Sequence, residues 1–123
     1  MSKSMEGKLL ATEMDFLRRS ARKSKLEKVR NEEIRRITKK EITIIEEIQK
    51  KQLIWYGHVN RMGEERLPKN IMKWIPTGKR KRGRPRETWL KGVTKAMSLR
   101  NLQADDWMDR RQWRQGTGRR ITL

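Results

Sequence analysis

Residues 38–62 read TKKEITIIEEIQKKQLIWYGHVNRM. Whether this run is helix or strand sets the class of the whole protein. Thr38-Lys39-Lys40-Glu41 matches a capping box, with Thr at the N-cap and Glu three positions on. A long helix is therefore predicted to follow, to about Met62. Ile45, Ile48, Trp55, Val59 and Met62 stand at heptad-like spacing, with Gln52 in the missing place. Ile44, Leu53 and Tyr56 widen the stripe. An apolar face of this width packs against protein. Gly57 costs helix stability, and its bare backbone lets another backbone come close. The β-branched run Ile42-Thr43-Ile44-Ile45 also suits a strand, but the capping signal and the length favour helix.

Shorter helices are predicted on both sides. Leu9, Leu10, Met14 and Leu17 share one face over about Glu6–Arg22, and Arg18, Arg19 and Arg22 suit the negative end of the helix dipole. Lys25–Arg30 reads as a turn or a second short helix. Asn31 reads as the N-cap of a helix that ends near Ile37, with Glu32 and Glu33 in its first turn. Beyond Met62, Gly63–Pro68 is a turn, and Pro68 opens a short helix from Lys69 to about Trp74. Pro76 and Gly78 end it. Pro85 and Glu87 open the next helix, whose stripe is Trp89, Leu90, Val93, Ala96 and Met97 and whose end is near Arg100-Asn101. Ala104 or Asp105 opens a last short helix with Trp107, Met108 and Trp113 facing inwards. The expected fold is mostly α: short amphipathic helices around a basic extended hinge, with a small or incomplete core. Its segments are helical residues 6–75, the hinge 76–86, helical residues 87–115 and a frayed tail 116–123.

Composition bounds the function. The 123 residues carry a net charge of +18, with 39% charged and 33% hydrophobic residues. Such an excess of cations points to an anionic partner, nucleic acid first and an acidic membrane surface second. There is no cysteine, which excludes disulfides, thiol catalysis and Cys-based zinc sites. No run reads as a signal peptide or is apolar enough to span a bilayer, so no membrane insertion is expected. Five tryptophans are too many for a disordered basic tail and place folded segments on both sides of the hinge.

The densest charge lies in Gly78-Lys79-Arg80-Lys81-Arg82-Gly83-Arg84-Pro85-Arg86. Two glycines and a proline disfavour a regular helix or central strand there. Arg82-Gly83-Arg84-Pro85 resembles the core of an AT-hook: Gly lets the backbone lie deep in a narrow minor groove, Pro keeps the chain extended, and the arginines run along the groove floor. Lys79-Arg80-Lys81-Arg82 also suits a nuclear import signal, so a nuclear location is expected. The plain alternative is a solvated basic linker that touches phosphates alone. Contact with nucleic acid is the expectation; a preference for A·T is not.

Other candidates are weaker. Arg110, Arg111 and Arg114 beside Trp107 and Trp113 read either as base-stacking and phosphate-gripping groups or as a small core with arginines outside. His58 is the single histidine and reads as a structural residue at the edge of a packed face. Asp105-Asp106 are adjacent, whereas a two-metal site draws carboxylates from separated elements; they read as helix caps. No phosphate loop, nucleophile elbow or His-Glu-x-x-His run is present. The sequence shows no complete active site, no metal site and no cofactor site.

One further pattern covers about Leu9–Arg120. It comprises Arg30-Asn31-Glu32-Glu33-Ile34-Arg35, then Gln52-Leu53-Ile54-Trp55-Tyr56-Gly57-His58-Val59-Asn60-Arg61-Met62, Arg66-Leu67-Pro68-Lys69, the run from Gly78 through Thr88-Trp89, and Asp109-Arg110-Arg111-Gln112-Trp113-Arg114. The ordered succession of these blocks resembles the C-terminal region of reverse transcriptases encoded by non-LTR retrotransposons. That resemblance implies descent from a polyprotein with endonuclease and RNA-directed DNA polymerase domains. It implies DNA or RNA, and the missing polymerase domain, as partners. Both catalytic domains are lacking here: Gln103-Ala104-Asp105-Asp106 has neither the aromatic residue nor the hairpin of a polymerase motif, and no Cys-His knuckle can form. The expected function is nucleic-acid binding without catalysis, through Lys79, Arg80, Lys81, Arg82, Arg84, Arg86, Arg110, Arg111 and Arg114. The rivals are a stand-alone AT-hook-like DNA-binding protein, a helical protein-interaction module and an active enzyme.

Overall fold

The computed structural model of the chain describes residues 1–75, 77–79, 82–83 and 88–120. Among these it has six α-helices and no strand, in keeping with the mostly-α expectation: α1 Lys3–Ser20, α2 Asn31–Thr38, α3 Ile44–Asn60, α4 Leu67–Lys73, α5 Trp89–Leu99 and α6 Arg110–Thr117. Single 3₁₀ turns lie at Lys25–Glu27 and Asp106–Met108. The chain forms two compact units, Met1–Ile48 and Gln49–Leu123. The boundary between the units falls inside α3.

In the first unit, Met14 and Leu17 of α1 close over Ile34 of α2, with Val29 packed beside them. Arg30, not Asn31, holds the N-cap position of α2, because the Asn31 side chain is occupied elsewhere: its Oδ1 accepts from Arg18 Nη2 at 2.7 Å. Glu13 ties the unit together. It pairs with Arg35 of α2 at 2.9 Å and accepts from the Ile44 N–H, the first of α3, at 3.2 Å. Burial alone pushes the Glu13 carboxyl up; hydrogen bonds from Arg35 and Ile44 and the charges of Arg35 and Lys40 outweigh it and hold the group below its ordinary value.

This contact explains where α3 begins. The capping box expected at Thr38 does not form; Thr38 closes α2, donating its hydroxyl to the Ile34 carbonyl at 2.8 Å. Lys39 follows in the left-handed region at φ 57°, a common way to end a helix. Thr43-Ile44-Ile45-Glu46 repeats the same Thr-x-x-Glu pattern. There the Thr43 hydroxyl accepts from the Glu46 N–H at 3.2 Å. Two matching signals lie five residues apart, and the carboxylate brought by α1 favours the second.

The second unit is built on Leu53 of α3, Val93, Ala96 and Met97 of α5, Leu102, and Trp113 of α6, with Tyr56 and Trp107 at its margin. Trp113 is 2% exposed and donates its indole N–H to the Leu53 carbonyl at 2.8 Å. Its ring lies over Gly57, where a Cβ would stand 2.2 Å from the indole nitrogen. Gly57 therefore admits an aromatic ring, not the backbone expected. The inward line of α3 is Leu53, Gly57 and Asn60, and Val59 is buried beside it. The heptad frame read from sequence is rotated accordingly: Trp55 is 51% exposed and Ile54 also faces water.

Lys69 of α4 closes the C-terminal end of α3. Its buried ammonium donates to the carbonyls of Asn60 and Met62, each at 3.1 Å, and pairs with Glu64 at 2.7 Å. A cation on orphan helix carbonyls also suits the dipole. The hydrogen bond from Lys69, then the charges of Lys69 and Lys73, hold the Glu64 carboxyl below its ordinary value. Pro68 is the second residue of α4 and not its opening one, since the helix starts at Leu67.

Thr88 caps α5, accepting from the Lys91 N–H at 3.2 Å; Pro85 and Glu87, expected to open that helix, lie outside the described residues. Asp109 caps α6 through the N–H groups of Arg111 and Gln112. Met108, expected to face inwards, is exposed, because the 3₁₀ turn at Asp106–Met108 ends before α6 begins. Gly116 and Thr117, placed by sequence in a frayed tail, belong to α6 and are buried, and Arg119 donates to the Arg100 carbonyl at 3.2 Å.

Gly57→Ala separates packing from propensity. Alanine normally favours a helix interior by about 1 kcal/mol, but here its methyl meets the Trp113 ring, and overpacking of this kind costs about 1–3 kcal/mol. Denaturant unfolding of the full chain should show net destabilisation for Gly57→Ala and stabilisation for Gly7→Ala, whose site is open. Glu13→Gln tests the first unit. The folded Glu13 carboxyl is the stronger acid, so the unfolded chain binds the proton first as pH falls, and the stabilisation is lost with acid. The stability gap between wild type and Glu13→Gln should be constant above about pH 5 and shrink below the ordinary carboxylate range; a gap independent of pH would remove Glu13 from that role.

Candidate nucleic-acid interface

A cation is available to a ligand only if the fold does not already use it. Several described cations are committed to structure, among them Arg35 to Glu13, Lys69 to the end of α3, and Arg61 and Arg100 within the second unit. Arg61 donates to the Trp107 carbonyl at 2.9 Å. Burial, and then the like charge of Arg110, hold the Arg61 guanidinium below its ordinary value, although it stays charged. Arg100 is 3% exposed and donates to Gln49 Oε1 at 3.2 Å and to the Ala96 carbonyl at 3.1 Å.

Arg110, Arg111 and Arg114 belong to the other class. All three are exposed and none forms an ion pair with a described residue. At 3.6 residues per turn they spread over about 100° of α6, from about 60° to about 160° round the helix from the buried Trp113. Lys79 and Arg82 are likewise exposed. Arg80, Lys81, Arg84 and Arg86, the other hinge cations expected to bind, lie outside the described residues. The fold thus gathers the three arginines of α6 on one face.

The acids of the second unit leave this charge in place. It contains 20 Lys and Arg against 6 Asp and Glu, a net of +14. Glu64 serves Lys69 and Lys73. Asp109 accepts from backbone N–H groups at the start of α6, and Asp106 accepts from the Gln103 N–H at 2.8 Å. A carboxylate that caps a helix neutralises a dipole end, not a surface guanidinium. The first unit, with 13 cations and 9 acids, is far nearer balance.

Of the two readings of the C-terminal tryptophans, Trp113 follows the small core with arginines outside. Trp113 cannot stack on a base, since its ring is buried and its N–H is used. Trp107 is half-buried against the core. The indoles that do reach water are Trp55, Trp74 and Trp89. Sequence periodicity assigned Trp55 and Trp89 to apolar stripes, and no local signal places them outside. His58 is exposed, its ring 5.8 Å from that of Trp55. Among the described residues no three His, Asp or Glu side chains form a metal-binding group, and no helix is long and apolar enough to cross a membrane.

No protein-family model, curated protein or solved structure matches the chain.

Thermal unfolding separates the two classes of cation. Replacing Arg110, Arg111 and Arg114 together by Gln should leave stability within about 0.5 kcal/mol, as for surface positions without partners. Arg100→Ala should cost about 1 kcal/mol or more through its lost buried hydrogen bonds. Equal losses would return the α6 arginines to the structural class.

Proposed function

We propose that this chain is a nucleic-acid-binding C-terminal fragment of a retrotransposon-derived reverse transcriptase. It is non-catalytic by itself, works in the nucleus and holds RNA or DNA beside a polymerase domain. The observation that carries the ligand class is the uncompensated +14 of the unit Gln49–Leu123. Glu64 serves one lysine pair and Asp106 and Asp109 accept from backbone N–H groups, while the α6 arginines and Lys79 and Arg82 face water. A phosphate backbone is the polyanion that matches a spread of unpaired guanidinium and ammonium groups, and release of its counterions drives such binding. The ordered blocks from Arg30 to Arg114 support the retroelement origin. A polymerase reading frame lying in frame immediately upstream in the genome would fit that origin.

Salt dependence tests the binding. Six phosphate contacts from Lys79, Arg80, Lys81, Arg82, Arg84 and Arg86 give a slope of log K against log salt of roughly −5 on duplex DNA. Glutamine at all six positions should weaken binding on every sequence alike and remove most of that slope; each α6 arginine should contribute about one further unit. Affinity that barely changes between low and high salt would sink the proposal.

A further inference from the structure

We propose that Trp74 and Trp89 form stacking platforms for unpaired bases, so that the ligand of the basic stretch is single-stranded nucleic acid. This rests on the nucleic-acid reading above and narrows it. The two indoles bracket the stretch in the chain: Trp74 lies five residues before Lys79, and Trp89 three residues after Arg86. An extended chain advances at most about 3.6 Å per residue, so covalent linkage alone keeps the Cα of each tryptophan within about 18 Å of that of a cationic residue of the stretch.

Their exposure is otherwise hard to account for. Trp74 is 69% exposed and Trp89 39%, although the indole is among the largest apolar groups and the core of this unit is small. The fold fixes the backbone of both. Trp74 sits at the end of α4, the helix anchored by buried Lys69. Trp89 opens α5 and lies 6.4 Å from the Tyr56 ring, which lies 6.1 Å from the Trp113 ring. That row of three rings runs from the buried indole to the exposed one, so Trp89 is backed by rigid aromatic packing. A held indole loses little freedom when a base covers its face.

Chemistry then favours a single strand over a duplex. In a duplex each base face is covered by its neighbours, and reaching one costs a few kcal/mol of unstacking. In a single strand the faces are open, stacking on an aromatic side chain is tolerant of sequence, and phosphates alternate with bases. A run of cations flanked in the chain by two exposed indoles offers a partner for each part of that repeat. Exposed Leu67, Ile71 and Ile75 near Trp74 are the feature an anionic membrane would use in its place, so vesicles belong in the test.

Oligo(dT) of about 16 nucleotides, the upper end of a single-domain footprint, a duplex of equal length, and phosphatidylserine–phosphatidylcholine vesicles are titrated against the full chain. Fluorescence and anisotropy report binding. Wild-type tryptophan emission should be quenched by oligo(dT). Trp74→Ala and Trp89→Ala should each weaken oligo(dT) binding about fivefold or more, with duplex affinity changed less than twofold. Trp74→Phe should retain most of the affinity, and Phe16→Ala, an exposed aromatic in the other unit, should have no effect. Trp74 is so exposed that its replacement leaves the fold intact, which unfolding curves verify. Unchanged oligo(dT) affinity in both alanine variants, alongside salt-dependent duplex binding, overturns this inference and leaves the nucleic-acid reading standing. Vesicle binding lost in Trp74→Ala with oligo(dT) affinity intact also overturns it. Binding to neither nucleic acid overturns both.

Discussion

The second unit depends on one contact: the Trp113 indole seated on the bare backbone of Gly57, with its N–H on the Leu53 carbonyl. It joins residues 60 positions apart in the chain, across the most basic stretch of the protein. Closing so long a loop costs entropy that no local interaction recovers, so the contact must bring much with it. A nearly fully buried Trp contributes some 150–250 Å² of removed surface. It also fixes which side of α3 faces inwards, and α5 fills the space left beside it with Val93, Ala96 and Met97. The outward position of Trp55 and the backing of Trp89 through Tyr56 both follow from that choice.

A chain with a charge of +18 must also decide what to do with its cations. Here a few are drawn into the fold, each on a carbonyl or a carboxylate: Arg35, Arg61, Lys69 and Arg100. The acids mostly end helices. Glu13 serves the start of α3 and Asp109 the start of α6. Lys79, Arg82 and the three arginines of α6 stand outside these pairings and are exposed.

Local signals were legible in the sequence and long-range choices were not. The helices α1 and α5 follow from apolar spacing, and their observed ranges lie close to those read from the chain. The start of α3 shows the limit. Thr38 and Thr43 carry the same Thr-x-x-Glu pattern, and only a carboxylate from 31 residues away distinguishes them. Likewise, Gly57 announced a close approach, but nothing nearby said that an indole would make it. Asp109 three places before Gln112 was a readable cap and was overlooked beside the more conspicuous Asp105-Asp106. Of the candidate site, Arg111 could be read from the sequence as outward-facing, because it stands nearly opposite Trp113 on a short helix; Arg110 and Arg114 lie nearer the buried side. Which tryptophans reach water could not, since Trp55, Trp89 and Trp113 all sit at plausible core spacing.

The surplus charge on the second unit bears on folding as well as on recognition. Like charges crowded on a compact body repel one another, and the expanded chain relieves that repulsion. Simple salt shortens the reach of the repulsion to about 8 Å at physiological strength. Raising ionic strength therefore steadies this unit, whereas it would loosen the proposed hold on a polyanion, so folding and the proposed recognition answer to salt with opposite sign. A polyanion bound as proposed would do locally what salt does everywhere: it would lift the repulsion and scaffold the folded unit.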